Sequence, residues 1–173
     1  MNIMRTLSFT ILIVILAALW SCASREIISK EIKAESERVS FKTLVRDTDR
    51  YMGKTVVLGG YIIETKNFPG KSTMTVLQTP LVGGEEPGSK DLANGGFILS
   101  YDGHLEPEVY EKGRRTTVAG KVAGLADKGA NCPSPCLQLE YRQIYLWPMY
   151  ESPSYFSYED FGEAALYERW IYH

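Results

Sequence analysis

Two consecutive glycines, Gly59 and Gly60, stand in the middle of the most strand-like segment of the chain, Thr55 to Thr65. Val56, Leu58, Gly60 and Ile62 alternate on one face, and Val57, Gly59, Tyr61 and Ile63 on the other, so both faces are largely apolar. Glycine weakens a strand interior, and it is kept there where the strand bends sharply or another backbone comes close. A strand coiling round a small barrel has that need.

Four more strand candidates follow. Ser72–Thr79 is rich in Thr and Val and ends at Pro80, and Gly96–Tyr101 alternates until Asp102-Gly103 breaks it. Arg115–Gly124 places Thr116, Val118, Gly120 and Val122 on one face, and Leu137–Trp147 sets Leu137, Leu139, Tyr141 and Tyr145 against Gln138, Glu140 and Arg142. Asn67-Phe68-Pro69-Gly70 is a turn cluster, and the glycine-rich stretch 81–95 reads as a loop. Leu105–Tyr110 reads as a short helix between strands 3 and 4, its proline near the first turn. Phe41 to Tyr51 has helical spacing and stops at Gly53. The fold class expected is mainly β: a small five-stranded OB-like Greek-key barrel with a short helix between strands 3 and 4, plus an aromatic-rich C-terminal tail. A sandwich would want about seven strands.

The chain begins with one cation, Arg5, and an apolar run from Leu7 to Trp20, then turns polar after Ser21-Cys22. That run is shorter than the roughly 20 residues of a spanning helix, and its order of charge, apolar stretch and small residue is that of an export signal. The expected organisation is a signal peptide over 1–21, an N-terminal tether over 22–40, a barrel domain over 41–148 and a tail over 149–173. Without residues 1–21 the chain has 18 Lys and Arg against 21 Asp and Glu. A slightly acidic balance argues against a nucleic-acid partner, which would need a basic surface. The tail carries Tyr155, Phe156, Tyr158, Phe161, Tyr167 and Trp170. It either folds back over the barrel or meets an interface, where Trp and Tyr are favoured.

Setting Cys22 aside leaves Cys132 and Cys136, separated by Pro133-Ser134-Pro135. In an oxidising compartment such a pair reads as a disulfide. Closing so short a ring contributes about 2 kcal/mol, which stiffens a loop rather than holding a fold. Free thiols, or half a zinc site completed by His104 or His173, are the other readings.

Leu19, Ser21 and Cys22 resemble the lipobox of bacterial lipoproteins, with Trp20 where a small residue is usual. Together with Val57-Leu58-Gly59-Gly60, Val118-Ala119-Gly120-Lys121-Val122, Leu139-Glu140-Tyr141 and Leu146-Trp147, in that order, they resemble the Slp family of starvation-inducible outer-membrane lipoproteins of Gram-negative bacteria. The resemblance implies cleavage before Cys22, acylation of its thiol and attachment to the cell outer membrane; the periplasmic face is the side expected here. Ala23, where an Asp favours inner-membrane retention in enterobacterial lipoproteins, agrees with the outer membrane. One acyl chain holds only reversibly, so stable attachment takes two or more. The family implies a link to envelope integrity or acid tolerance and no catalytic chemistry.

The residues themselves offer little to an enzyme. Ser100, Asp102 and His104 lie close in sequence, but Asp102-Gly103 is turn chemistry that breaks their shared face. Glu85-Glu86 and Glu159-Asp160 sit in loop and tail, and no glycine-rich phosphate loop precedes a helix. No cofactor and no metal are expected. The barrel layout points instead to the loops joining strands 1–2 and 4–5 as a ligand grip. Lys66, Phe68 and Lys71 lie in the first, and Lys128 in the second beside the cysteine ring. The function expected is a non-enzymatic outer-membrane lipoprotein, held to the membrane by a lipid anchor, that contributes to envelope integrity or stress tolerance. Its partners would be an envelope glycan or an outer-membrane protein. The alternative is a periplasmic glycan- or peptide-binding module using the two loops.

Overall fold

The structure, a computed structural model, describes residues 26–83, 85–127 and 131–149. The signal segment, Cys22, Lys128 and the aromatic tail from residue 150 lie outside the described residues. Three short helices come first: α1 (Lys30–Glu35), α2 (Phe41–Arg46) and α3 (Thr48–Tyr51). The strands are β1 (Thr55–Phe68), β2 (Lys71–Thr79), β3 (Leu81–Val82), β4 (Glu86–Pro87), β5 (Gly95–Tyr101), β6 (Arg115–Leu125) and β7 (Cys136–Leu146). Five of them close into a barrel in the order β1-β2-β5-β7-β6, with β6 returning to β1. The β5–β7 ladder is parallel and the other four are antiparallel. The molecule is thus a mainly β, closed five-stranded mixed barrel.

The paired glycines sit where β1 changes partners. Val56 to Tyr61 pair with β6, and from Gly59 onward β1 also pairs with β2. A Cβ on Gly60 would lie 1.9 Å from the Leu77 carbonyl oxygen, and one on Gly59 would lie 2.3 Å from Leu81 Cδ2. Close backbone approach keeps the first glycine-only position, and the side chain of Leu81 covers the second. A bulge between Ile62 and Glu64 adds bend.

The core is filled by Val56, Leu58, Ile62, Met74, Val76, Phe97, Leu99, Val118, Val122, Leu137 and Leu139. The two ends of the barrel are closed differently. At one end α2, capped by Ser40 whose hydroxyl accepts from the Thr43 N–H at 3.2 Å, inserts Phe41 and Leu44. At the other end the plug is Leu105, 4 % exposed. Asn67 donates to the Leu105 carbonyl at 2.9 Å and accepts from its N–H at 3.2 Å, while Ser72 Oγ donates to the Gly103 carbonyl at 2.6 Å.

The helix expected over Leu105–Tyr110 is absent. One turn forms, with the Tyr110 N–H donating to the Glu106 carbonyl at 2.9 Å, and goes no further. Asn67 holds both backbone groups of Leu105 in a non-helical geometry, and Gly113, at φ +90°, donates to the Ile62 carbonyl. The barrel contacts outcompete the helix. Stretch 81–95 is more ordered than a loop: β3 and β4 pair, and Thr117 Oγ1 donates to the Glu85 carbonyl at 2.7 Å.

The polar stretch expected as a tether packs from Ile27 on. Ile27 and Ile28 are buried with Ala119, against Val57, Tyr145 and Trp147. Gln143 clamps the strap, accepting from the Ser29 N–H at 3.0 Å and donating to the Ile27 carbonyl at 3.2 Å. Glu37 then forms a parallel bridge to Val56. Burying two isoleucines contributes about 1.5–3 kcal/mol each, enough to fix the strap as part of the domain.

Candidate functional site

Residues 131–136 lie on the outward face of β5. Phe97 points inward and is fully buried, so Gly96 faces out, and a Cβ there would lie 2.8 Å from both Cys132 Sγ and Pro133 Cδ. Cys132 and Cys136 are joined as a disulfide, with 6.1 Å between their Cα atoms. The Ser134–Pro135 peptide is cis. From this loop Asn131 reaches across to β1, donating to Glu64 Oε2 at 3.1 Å.

Glu64 also takes Lys66, whose Nζ lies 2.8 Å from Oε2. The hydrogen bond from Lys66, and then that from Asn131, hold the Glu64 carboxyl below the usual carboxylate range. The structure therefore brings the strand 1–2 hairpin and the cysteine loop into contact, through Glu64 rather than through a pair of lysines. Lys66 spends its charge on Glu64. Phe68 is 55 % exposed, so it does not cap the barrel mouth, and it pairs across the hairpin with the exposed Lys71. Glu64 and Asn131 escaped the sequence reading, although Glu64-Thr65-Lys66 has the spacing that puts an acid and a base on one strand face.

His104 stands in a turn with its Nε2 3.7 Å from Glu106 Oε1, its side chain 60 % exposed. Among the described residues no group of three or more His, Cys, Asp or Glu could hold a metal ion. Tyr101 and Tyr141 pack edge to face with centroids 4.8 Å apart, and burial, aided by these two rings, pushes the nearby Tyr110 phenol up.

A second place has the shape of a site. A cleft of about 370 Å³ opens beside α2, walled by Val39, Phe41, Leu58, Pro80 and Leu81, with Ser40, Lys42 and Asn94 among its polar residues. Gln78 lines it, only 4 % exposed, and its Oε1 is fully buried without a hydrogen-bond partner. In the sequence Gln78 is one polar residue near a strand end, and nothing there marks it.

Comparison with known proteins gives three results. The model described as outer membrane lipoprotein Slp family matches residues 19–173. The uncharacterized lipoprotein YeaY of Escherichia coli (strain K12) is 26 % identical over 98 residues, which are 56 % of this chain and 50 % of that protein. The chain thus spans about half the length of that curated relative. Among solved structures, OBody AM3L09 bound to hen egg-white lysozyme aligns with a TM-score of 0.37 at 10 % identity, over 56 % of this chain and 84 % of its own. OBody AM2EP06 bound to hen egg-white lysozyme gives 0.39 at 12 %, over 59 % and 87 %. A putative aspartyl-tRNA synthetase from Leishmania major Friedlin gives 0.41 at 11 %, over 77 % of this chain and 25 % of that one. These structural likenesses are too loose to carry an argument, and the barrel rests on its own strand pairing.

Proposed function

The chain belongs to the outer membrane lipoprotein Slp family, and from that premise we propose that it is a non-enzymatic lipoprotein anchored through acylated Cys22. It contributes to envelope integrity or stress tolerance by contact with envelope components at the periplasmic face of the outer membrane. The observation that carries this reading is the lipobox-like Leu19-Trp20-Ser21-Cys22, which falls inside the matched span and lies only five residues before Ile27, the first buried side chain among the described residues. Five residues extend at most about 18 Å. An acylated Cys22 would therefore keep the barrel close to the lipid surface. Among the described residues no helix is long and apolar enough to cross a membrane.

The barrel itself has the layout of an OB-fold: five strands, closed, with one parallel ladder and the first strand shared between two neighbours. OB-folds are binding scaffolds, and a fold alone fixes no ligand. The exposed Phe68 and Lys71 at the hairpin tip support the second reading, a glycan- or peptide-binding module at the strand 1–2 hairpin and the cysteine loop that carries Lys128.

Membrane fractionation of the native host tests the first reading. Cys22→Ala should move the protein from the membrane to the soluble fraction, and mass spectrometry of the wild type should find two or more acyl chains on the first mature residue. A mutant that stays with the membrane defeats the anchor. For the second reading, Phe68→Ala should weaken binding to whichever envelope polymer the wild type retains, and an unchanged affinity removes it.

A further inference from the structure

We propose that the cleft beside α2 is a binding site for a small apolar carboxylate bearing an amide N–H, such as an N-acylated amino acid or the C-terminal end of an apolar peptide. The proposal stands apart from the lipid anchor and from the hairpin-loop site.

Three features define the ligand. The first is Gln78. It occupies an inward position of β2 at the barrel end, 4 % exposed, with its side-chain oxygen buried and unpartnered. A buried acceptor left empty is costly, so the site calls for an N–H or O–H donor. One water would satisfy it, but a water occupies about 30 Å³, and the cleft is about 370 Å³. That falls within the usual range for small-molecule sites.

The second feature is the wall. Phe41, Leu58, Pro80 and Leu81 supply apolar surface. The cleft opens where β1 passes between neighbours, since Glu37 bridges to Val56 and β2 pairs only from Gly59 on. Its floor is therefore Val57 and Leu58, between the two pairings. The third feature is Lys42, exposed at the cleft and, among the described residues, outside every ion pair. A carboxylate entering with its apolar body against Phe41 and its N–H towards Gln78 would meet a free ammonium at the rim.

The test uses the full chain, purified in non-denaturing detergent, labelled with 15N and titrated with N-acetyl-L-leucine to about 20 mM, since a ligand of this size binds at millimolar strength. Saturable shifts are expected at Gly59, Gln78 and Asn94, including the Gln78 side-chain amide. Gln78→Leu should weaken binding about five- to tenfold. Lys42→Ala, an exposed change that leaves folding intact, should weaken it about two- to threefold. N-acetyl-N-methyl-leucine, which has no N–H, should bind no better than the Gln78→Leu variant binds the parent compound. The proposal is overturned if no saturable shift appears. Equal binding of the N-methyl compound, or an unchanged affinity in Lys42→Ala, overturns it as well. Shifts confined to Phe68 and Lys71 would also overturn it, and would favour the hairpin-loop reading instead.

Discussion

The two ends of the barrel solve one problem in opposite ways. At the α2 end the plug is a helix. Phe41 and Leu44 fill the mouth while the backbone that carries them satisfies its own hydrogen bonds, with Ser40 supplying the cap. At the far end the plug is a single loop residue. Leu105 cannot satisfy its own N–H and carbonyl, so Asn67 takes both, and Ser72 Oγ shares the N–H at 3.1 Å while holding the neighbouring Gly103. An apolar plug on a helix needs little polar help beyond the cap of that helix. An apolar plug on a loop depends equally on polar partners that must be in place with it, because a buried backbone group left unpaired is costly.

The comparison can be broken by substitution, and the largest effect is expected at the helix plug. Leu44 is fully buried within the core cluster, and Leu44→Ala should cost about 2–5 kcal/mol. Chemical denaturation should show a lower midpoint with an unchanged slope. Next comes Asn67→Ala, which strips the Leu105 carbonyl of its partner and leaves the N–H to Ser72 Oγ alone, and should cost about 1–3 kcal/mol. A double-mutant cycle sharpens the contrast. Asn67→Ala and Leu105→Ala should be strongly non-additive, whereas Asn67→Ala and Leu44→Ala, at opposite ends, should add. Additivity of the first pair would show that the loop plug works like the helix plug. Ser40→Ala, which removes the cap of α2, should cost about 1 kcal/mol in the same assay.

The smallest effect concerns Glu64, which stands half-buried where the hairpin and the cysteine loop meet. Its folded carboxyl titrates below the usual range, so its contribution to stability is present above the unfolded value and is lost as pH falls through the folded one. In Lys66→Ala the Glu64 midpoint should rise towards the ordinary carboxylate range, followed by side-chain NMR. A midpoint that stays put would mean that Asn131, rather than Lys66, dominates the site.

Much of this molecule was legible in the chain. The five barrel strands follow from alternation and turn residues, and the helical spacing of Phe41, Leu44 and Val45 recurs as α2. Gly59-Gly60 pointed to a close backbone approach, which Leu77 provides. What local pattern misled on was governed by distant partners. The helical reading of Leu105–Tyr110 failed because Asn67, 38 residues away, captures Leu105. The tether reading of 22–40 overlooked Ile27 and Ile28, whose burial depends on Ala119 and Tyr145 more than ninety positions later. The Lys66–Glu64 pair, which links the hairpin to Asn131 of the cysteine loop, likewise went unread, because Asn131 lies 67 positions from Glu64.

By itself, then, the order of residues determined the family and the number and sequence of the barrel strands, because each of these is encoded in short runs whose periodicity or chemistry needs no distant partner. Which end closes with a helix and which with a loop, where the strap lies, and that Gln78 faces an open cleft with its oxygen unmet were decided only when the barrel closed. Closure is what brings together residues that the chain keeps far apart, and burial makes each polar atom among them depend on what it meets there.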